Sequence, residues 1–173
     1  RNKAFLDLAG KPLVRHVVDA LLEAESIAEI FVVGPAEKLG IALREVPSRV
    51  RTVQQQGKML SNGWAAIYAS ESRPANENQK SVQNRPLLII SCDLPLISGR
   101  AIDDFVARCA AEDHKAESPY AMQVGVVDEP GVAPFHPESG KEGIERPFVE
   151  TAFGRLRLAN IYVARPRRLA HQE

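Results

Sequence analysis

The chain has 173 residues, 45% hydrophobic and 25% charged, with two cysteines and 22 basic side chains set against 22 acidic ones. At this length a folded chain buries roughly 70% of the surface its unfolded form exposes, so neither a disulfide nor a metal is needed for stability. Zero net charge argues against a dedicated nucleic-acid binder, two isolated cysteines exclude a zinc site, and no apolar run approaches the roughly 20 residues of a membrane span.

From Pro12 to Ala24 the apolar residues Leu13, Val14, Val17, Val18, Leu21 and Leu22 recur at helical spacing, with Arg15, His16, Asp19 and Glu23 on the other side. Pro12 suits the start of this amphipathic helix, where no backbone donor is needed. Ile30-Phe31-Val32-Val33, closed by Gly34-Pro35, reads as a buried strand. A helical stretch around Leu39 to Leu43 and a short strand from Val50 to Val53 follow. Ser61 reads as the cap of a helix whose stripe carries Leu60, Trp64, Ile67 and Tyr68. Residues 71 to 85, rich in Ser, Pro, Asn and Gln, read as an exposed loop.

Leu87-Leu88-Ile89-Ile90 is wholly apolar and predicts a strand covered on both faces. Ile102, Phe105, Val106, Cys109 and Ala110 predict another amphipathic helix, and Tyr120 to Val127 a further strand. Residues 128 to 145 read as an irregular loop and Leu156 to Ala164 as the last strand. Cys92 and Cys109 read as buried thiols of a reducing, cytoplasmic setting. Strands alternating with helices imply an α/β fold with a mostly parallel sheet and right-handed crossovers.

In such a sheet, ligands bind beyond the carboxyl ends of the strands. Asp93 follows the buried run directly. Two readings stand: a ligand for Mg²⁺, which takes carboxylates together with substrate phosphates, or a cap of the turn that Pro95 fixes. Lys3 is a phosphate partner or a solvated surface residue. Gly57-Lys58 before a helix start suits an anion, because backbone donors are free there, although the full phosphate-loop pattern is missing. Asn160, polar within an apolar strand, is either an amide ligand or an amide satisfied by neighbouring backbone. The four histidines form no metal-spaced pair, and there is no nucleophile elbow. Six arginines against three glutamates over residues 145–173 are either solvated or face an anionic substrate.

Asn2-Lys3-Ala4-Phe5-Leu6-Asp7-Leu8-Ala9-Gly10-Lys11-Pro12-Leu13-Val14, leading into a helix and a strand that ends Val33-Gly34, resembles the opening of the MobA-like nucleotidyltransferases. That family includes the molybdenum cofactor and adenosylcobinamide-phosphate guanylyltransferases. Asp93-Leu94-Pro95-Leu96 resembles its Asp-x-Pro after the central strand. Gly57-Lys58 with the helix from Ser61 resembles the segment that holds the nucleotide, and Leu158 to Val163 resembles a late strand whose asparagine faces the acceptor.

The resemblance implies a three-layer α/β/α sandwich with a Rossmann-like sheet, of the nucleotide-diphospho-sugar transferase type. It implies Lys3 and Asp93 as catalytic residues, Asp93 as the Mg²⁺ ligand, and Gly57, Lys58, Ser61, Asn62 and Asn160 as binding residues. The implied activity moves NMP from an NTP, GTP or CTP, to a phosphorylated small-molecule acceptor with pyrophosphate release, in a monomer or homodimer with no nucleic-acid or membrane partner. Residues 1–173 then form one nucleotidyltransferase domain. Its first strand and Gly-rich loop are expected upstream of Arg1, and a terminal helix after the last strand. Two rivals are a receiver-like signalling domain with Asp93 as phosphoacceptor and a catalytically silent nucleotide-binding relative.

Overall fold

The first regular pairing in the chain is a tight hairpin. β1 (Asp7–Leu8) and β2 (Lys11–Pro12) are antiparallel, with Leu8 opposite Lys11. The two residues between them both take positive φ, Ala9 at 53° and Gly10 at 83°. This is the I′ geometry that matches strand twist, and Gly10 adopts its half without Cβ strain. The computed structural model describes residues 2–72, 85–137, 142 and 147–169.

α1 (Leu13–Glu23) starts directly after Pro12, which holds extended backbone at the cap position. It buries Val14, Val17, Val18, Ala20 and Leu21. Its other face ties down the hairpin. His16 Nε2 hydrogen-bonds the Leu8 carbonyl at 2.8 Å, and Asp19 accepts from Lys11 at 3.0 Å and Arg15 at 2.7 Å. At the far end, where helical carbonyls lack intrahelical partners, Arg49 donates to the carbonyls of Leu22 and Ile27.

β3 (Ile30–Gly34) and β4 (Val50–Gln54) pair in parallel, from Ile30 opposite Val50 to Gly34 opposite Gln54, around the connecting α2 (Ala36–Ala42). α3 (Met59–Glu71) follows β4. Then come β5 (Leu87–Ile90), α4 (Gly99–Lys115), β6 (Met122–Asp128), the short α5 (Glu129–Val132), β7 (Val149–Thr151), β8 (Gly154–Ala164) and the short α6 (Pro166–Leu169). The fold class is α/β, as the alternating pattern predicts. β8 runs antiparallel to β5, β6 and β7, so the pairing in this part of the sheet differs from a parallel crossover pattern. β7 reaches β8 through the two residues Ala152 and Phe153, and so short a link leaves only the antiparallel direction open.

The core lies where α1 meets α4 against β3 and β4. Ile102 is 0% exposed, Leu39 1% and Val18 2%. Ser98 caps α4 by accepting from the Ala101 N–H at 3.2 Å. A Cβ at Gly99 would sit 2.8 Å from Glu23 Cβ and 2.9 Å from the Ala24 nitrogen, so only glycine lets α4 begin against the end of α1. Asp103 of α4 then accepts from the backbone of Glu25 and from the backbone and hydroxyl of Ser26, which locks the two helices together.

Several expectations are corrected. β5 is not covered on both faces among the described residues, since Ile89 is 46% exposed while Leu88 and Ile90 face the core. Cys92 is only half-buried, whereas Cys109 is buried as expected. Leu60 and Tyr68 are exposed, so the α3 stripe buries Ile67 alone of the residues named for it. The stretch after β6 is not irregular at its start, because Asp128 caps α5 by accepting from Gly131 at 3.0 Å. The exposed loop expected over 71 to 85 falls mostly outside the described residues, apart from the end of α3.

At the other end of α4, the half-buried Asp113 accepts from Arg165 at 2.6 Å, from the Tyr120 N–H at 2.9 Å and from Gln123 at 3.0 Å. Burial pushes its pKa upward, but the Tyr120 amide and the Arg165 guanidinium outweigh that and hold it below its ordinary value.

Two stability predictions follow from this packing. Ile102→Ala should cost about 2–5 kcal/mol in urea unfolding, because the side chain is fully buried and the surrounding structure relaxes only partly into the cavity it leaves. The Asp113 contribution should be complete above the unfolded carboxyl value of about 4 and should vanish as pH falls through the lower folded value. Melting temperatures of the natural chain and Asp113→Asn should therefore differ most at neutral pH and converge below about pH 4; a gap that stays constant down to pH 3 would contradict this.

Candidate active site

The ladder between β5 and β8 ends with Ile90 opposite Ile161, and one more bond extends it: the Ser91 N–H donates to the Asn160 carbonyl at 3.0 Å. Asn160 takes positive φ, 56°. It does so inside a bulge, because between Val124 and Val126 β6 contributes one residue while β8 spends Ala159, Asn160 and Ile161. Asparagine tolerates this left-handed backbone better than other non-glycine residues. Gly125 completes the fit, since a Cβ there would lie 2.5 Å from Ile161 Cγ2. The Asn160 side chain hydrogen-bonds none of the described residues, so the reading of an amide satisfied by neighbouring backbone does not describe it.

Beyond Ser91 the chain turns and presents Asp93, 26% exposed at its side chain. The Ser91 hydroxyl donates to Asp93 Oδ1 at 2.5 Å. Lys3 Nζ lies 3.8 Å from Asp93 Oδ2, which joins residues 90 positions apart in sequence. Lys3 stands on a 3-10 turn, Lys3–Phe5, which Asn2 caps by accepting from the Ala4 N–H at 3.1 Å and which buried Ala4 anchors against α1. The structure brings Lys3 and Asp93, both singled out in the sequence, together with Ser91, which the sequence reading did not single out, and ties Ser91 to the Asn160 carbonyl. The available signal was a hydroxyl two residues before the carboxylate, within reach for a local side-chain bond.

The second predicted cluster follows β4. Gly57 takes φ 87° and Lys58 is extended, with no side-chain hydrogen bond at the cap. α3 begins at Met59, so Ser61 lies in its first turn and does not cap it; the glycine-led turn sets the helix start instead. Asn62 reaches back to accept from the Gln56 N–H at 2.5 Å and so closes the loop. Both clusters lie at carboxyl ends of strands. Among the described residues no hydrogen bond or ion pair joins Gly57, Lys58, Ser61 or Asn62 to Lys3, Asp93 or Asn160.

Other features narrow the chemistry. The Cys92 thiol, beside Asp93, is pushed up first by burial and then by the neighbouring carboxylate, which suppresses the nucleophilic thiolate. Arg155, Arg165, Arg167 and Arg168 are engaged by Glu129, Asp113, Glu71 and the Pro119 carbonyl, so these four are not simply solvated. No three His, Cys, Asp or Glu side chains cluster among the described residues. A cavity of about 150 Å³, lined by Leu88, Val106, Cys109, Ala110, Val163 and Arg165, lies near the start of β5 and not at its Asp93 end. No described helix is long and apolar enough to cross a membrane.

In an open α/β sheet the crevice beyond the strands' carboxyl ends is where ligands bind, and Lys3 and Asp93 converge there. Residues 1–136 match the model of the MobA-like NTP transferase domain, and the chain belongs to that family. It is 30% identical to the bifunctional protein GlmU of Parvibaculum lavamentivorans over 108 residues, which are 62% of this chain and 22% of that protein. It is 28% identical to the 3-deoxy-manno-octulosonate cytidylyltransferase of Geobacter sulfurreducens over 109 residues, 63% of this chain and 39% of that one. The chain thus spans well under half the length of these curated relatives. Two solved structures share the fold. A hypothetical transferase from Thermus thermophilus superposes with a TM-score of 0.60 at 18% identity, covering 94% of this chain and 55% of that one. A CMP:2-keto-3-deoxy-manno-octonic acid synthetase complexed with CTP superposes with a TM-score of 0.54 at 15% identity, covering 95% and 68%.

Backbone and amide roles of Asn160 separate by substitution. Asn160→Gly should keep the melting temperature near that of the natural chain, since glycine accepts positive φ. Asn160→Val should lose about 1–2 kcal/mol, measured by denaturant unfolding, because a β-branched residue resists this conformation.

Proposed function

We propose that this domain carries out nucleotidyl transfer: an acceptor phosphate oxygen attacks the α-phosphorus of an NTP, the bond from that phosphorus to the β-phosphate bridge oxygen breaks, and pyrophosphate leaves. The observation that carries this reading is the approach of Lys3 to Asp93 beyond the end of β5. Family membership supports it and leaves the receiver-like alternative without a basis of its own. GTP and CTP are the proposed donors and a phosphorylated small molecule the acceptor, in a cytoplasmic monomer or homodimer; a cytidylyltransferase among the relatives and a CTP-bound structural neighbour support CTP.

Each residue has a part in this reaction. Lys3, mostly solvent-exposed, swings from the carboxylate onto a phosphate oxygen and offsets charge as pyrophosphate forms. The first-turn amides of α3, which no side chain caps, and the open space at Gly57 accept phosphate or ribose oxygens, with Lys58 adding a positive charge. Asn62 holds that loop in place. The Asn160 amide, left without a partner among the described residues, meets the acceptor. Asp93 is a single carboxylate, the donor set that suits Mg²⁺ when substrate phosphates complete the shell, and the bound ion would neutralise phosphate charge. Neither a covalent nucleophile nor a general base is required, and the work of these residues is positioning and charge stabilisation.

The test is pyrophosphate release by the intact protein with each common NTP and a panel of sugar, polyol and pterin phosphates. Asp93→Asn should lower kcat about 100-fold or more with the melting temperature retained, in line with the loss of a single electrostatic group at a transition state. Normal turnover by Asp93→Asn would sink the assignment. Nucleotide binding without pyrophosphate release from any NTP would identify a catalytically silent relative instead.

A further inference from the structure

We propose that Ser91 is a positioning residue for Asp93: its hydroxyl holds Oδ1 and thereby turns Oδ2 toward Lys3 and the cleft. A carboxylate joined through one freely turning bond has a broad, roughly two-fold torsion and by itself does not fix the direction in which its free oxygen points. Ionised, it only accepts hydrogen bonds, so the proton in the 2.5 Å contact belongs to Ser91. A serine hydroxyl has one proton to give. Ser91 spends it on Oδ1 and so leaves Oδ2 as the oxygen near Lys3 Nζ, at 3.8 Å.

Ser91 is in turn well placed to act as a fixed point. Its N–H donates to the Asn160 carbonyl at 3.0 Å, which extends the β5–β8 ladder by one bond past the last paired residue. Its side chain is therefore mounted on the end of the sheet, whereas Asp93 lies in the turn beyond. Groups that orient a ligating carboxylate typically matter about 10–100-fold in affinity or activity although they touch neither metal nor substrate.

The proposal rests on the role assigned to Asp93, and its test separates the two. Mn²⁺ serves as the probe cation, with binding to the intact protein followed by the paramagnetic resonance of the free ion, alongside kcat and KM for the NTP. Ser91→Ala keeps the backbone bond to Asn160 and should keep the melting temperature. It should weaken Mn²⁺ binding and lower kcat, each about tenfold, with KM for the NTP little changed. Ser91→Thr, which restores a hydroxyl, should recover both. Unchanged Mn²⁺ binding and kcat in Ser91→Ala, or a folded Ser91→Thr that recovers neither, overturns the proposal. If Asp93→Asn loses Mn²⁺ binding and turnover while Ser91→Ala loses neither, only the positioning role fails; if Asp93→Asn loses neither, the reading of Asp93 fails with it.

Discussion

One backbone hydrogen bond, from the Ser91 N–H to the Asn160 carbonyl, decides how this molecule presents its chemistry. It is the last rung of the ladder between two antiparallel strands, and it forms because β8 bulges there and Asn160 turns left-handed. Leu87–Ile90, just before it, are sheet; the residues just after it form the turn that carries Asp93. A hydrogen bond in the middle of a sheet adds about 1 kcal/mol and can be lost without changing the architecture. At the final rung the same bond fixes where a strand stops, and the position of every later side chain in the turn follows from it.

A second constraint supports the first from the opposite direction in sequence. Lys3 reaches the turn only because its short 3-10 segment is pressed against α1 by Ala4 and followed by a hairpin that His16, Asp19 and Lys11 fasten to the same helix. α1 in turn is fixed against α4 by the missing Cβ of Gly99 and by Asp103. The site thus joins two separately anchored pieces of chain, one held by helix packing and the other by the sheet.

Much of this was legible in the sequence where the cause is local. The apolar stripe of α1, the Ile30 run ending at Gly34 and the position of Asp93 after β5 depend on periodicity and on residues within a few places of one another. The harder features have causes that lie far away in the chain. Asn160 is left-handed because β6 supplies too few residues to match β8, and no window around Asn160 contains β6. The antiparallel course of β8 is set by its pairing with β5 and β6, which no window around β8 contains. The start of α3 was misplaced at Ser61 because a backbone turn at Gly57, not a capping side chain, sets it. The late arginines were ambiguous for the same reason: their partners Glu129, Asp113 and Glu71 come from other elements, and only folding reveals that they are engaged.

The ion pair between Lys3 and Asp93 is long and open to water, and contacts of this kind contribute about 0–1 kcal/mol. Its weakness has an electrical meaning. With the two side chains facing each other, this corner of the cleft is close to neutral and exerts little pull on distant ions. In the proposed reaction, a cation held by Asp93 would take up the carboxylate's charge, free the ammonium at almost no expense and leave the same corner positive. A polyphosphate arriving with its counter-ion would therefore meet a surface whose charge its own cargo has just unmasked, so that recognition and activation become a single event.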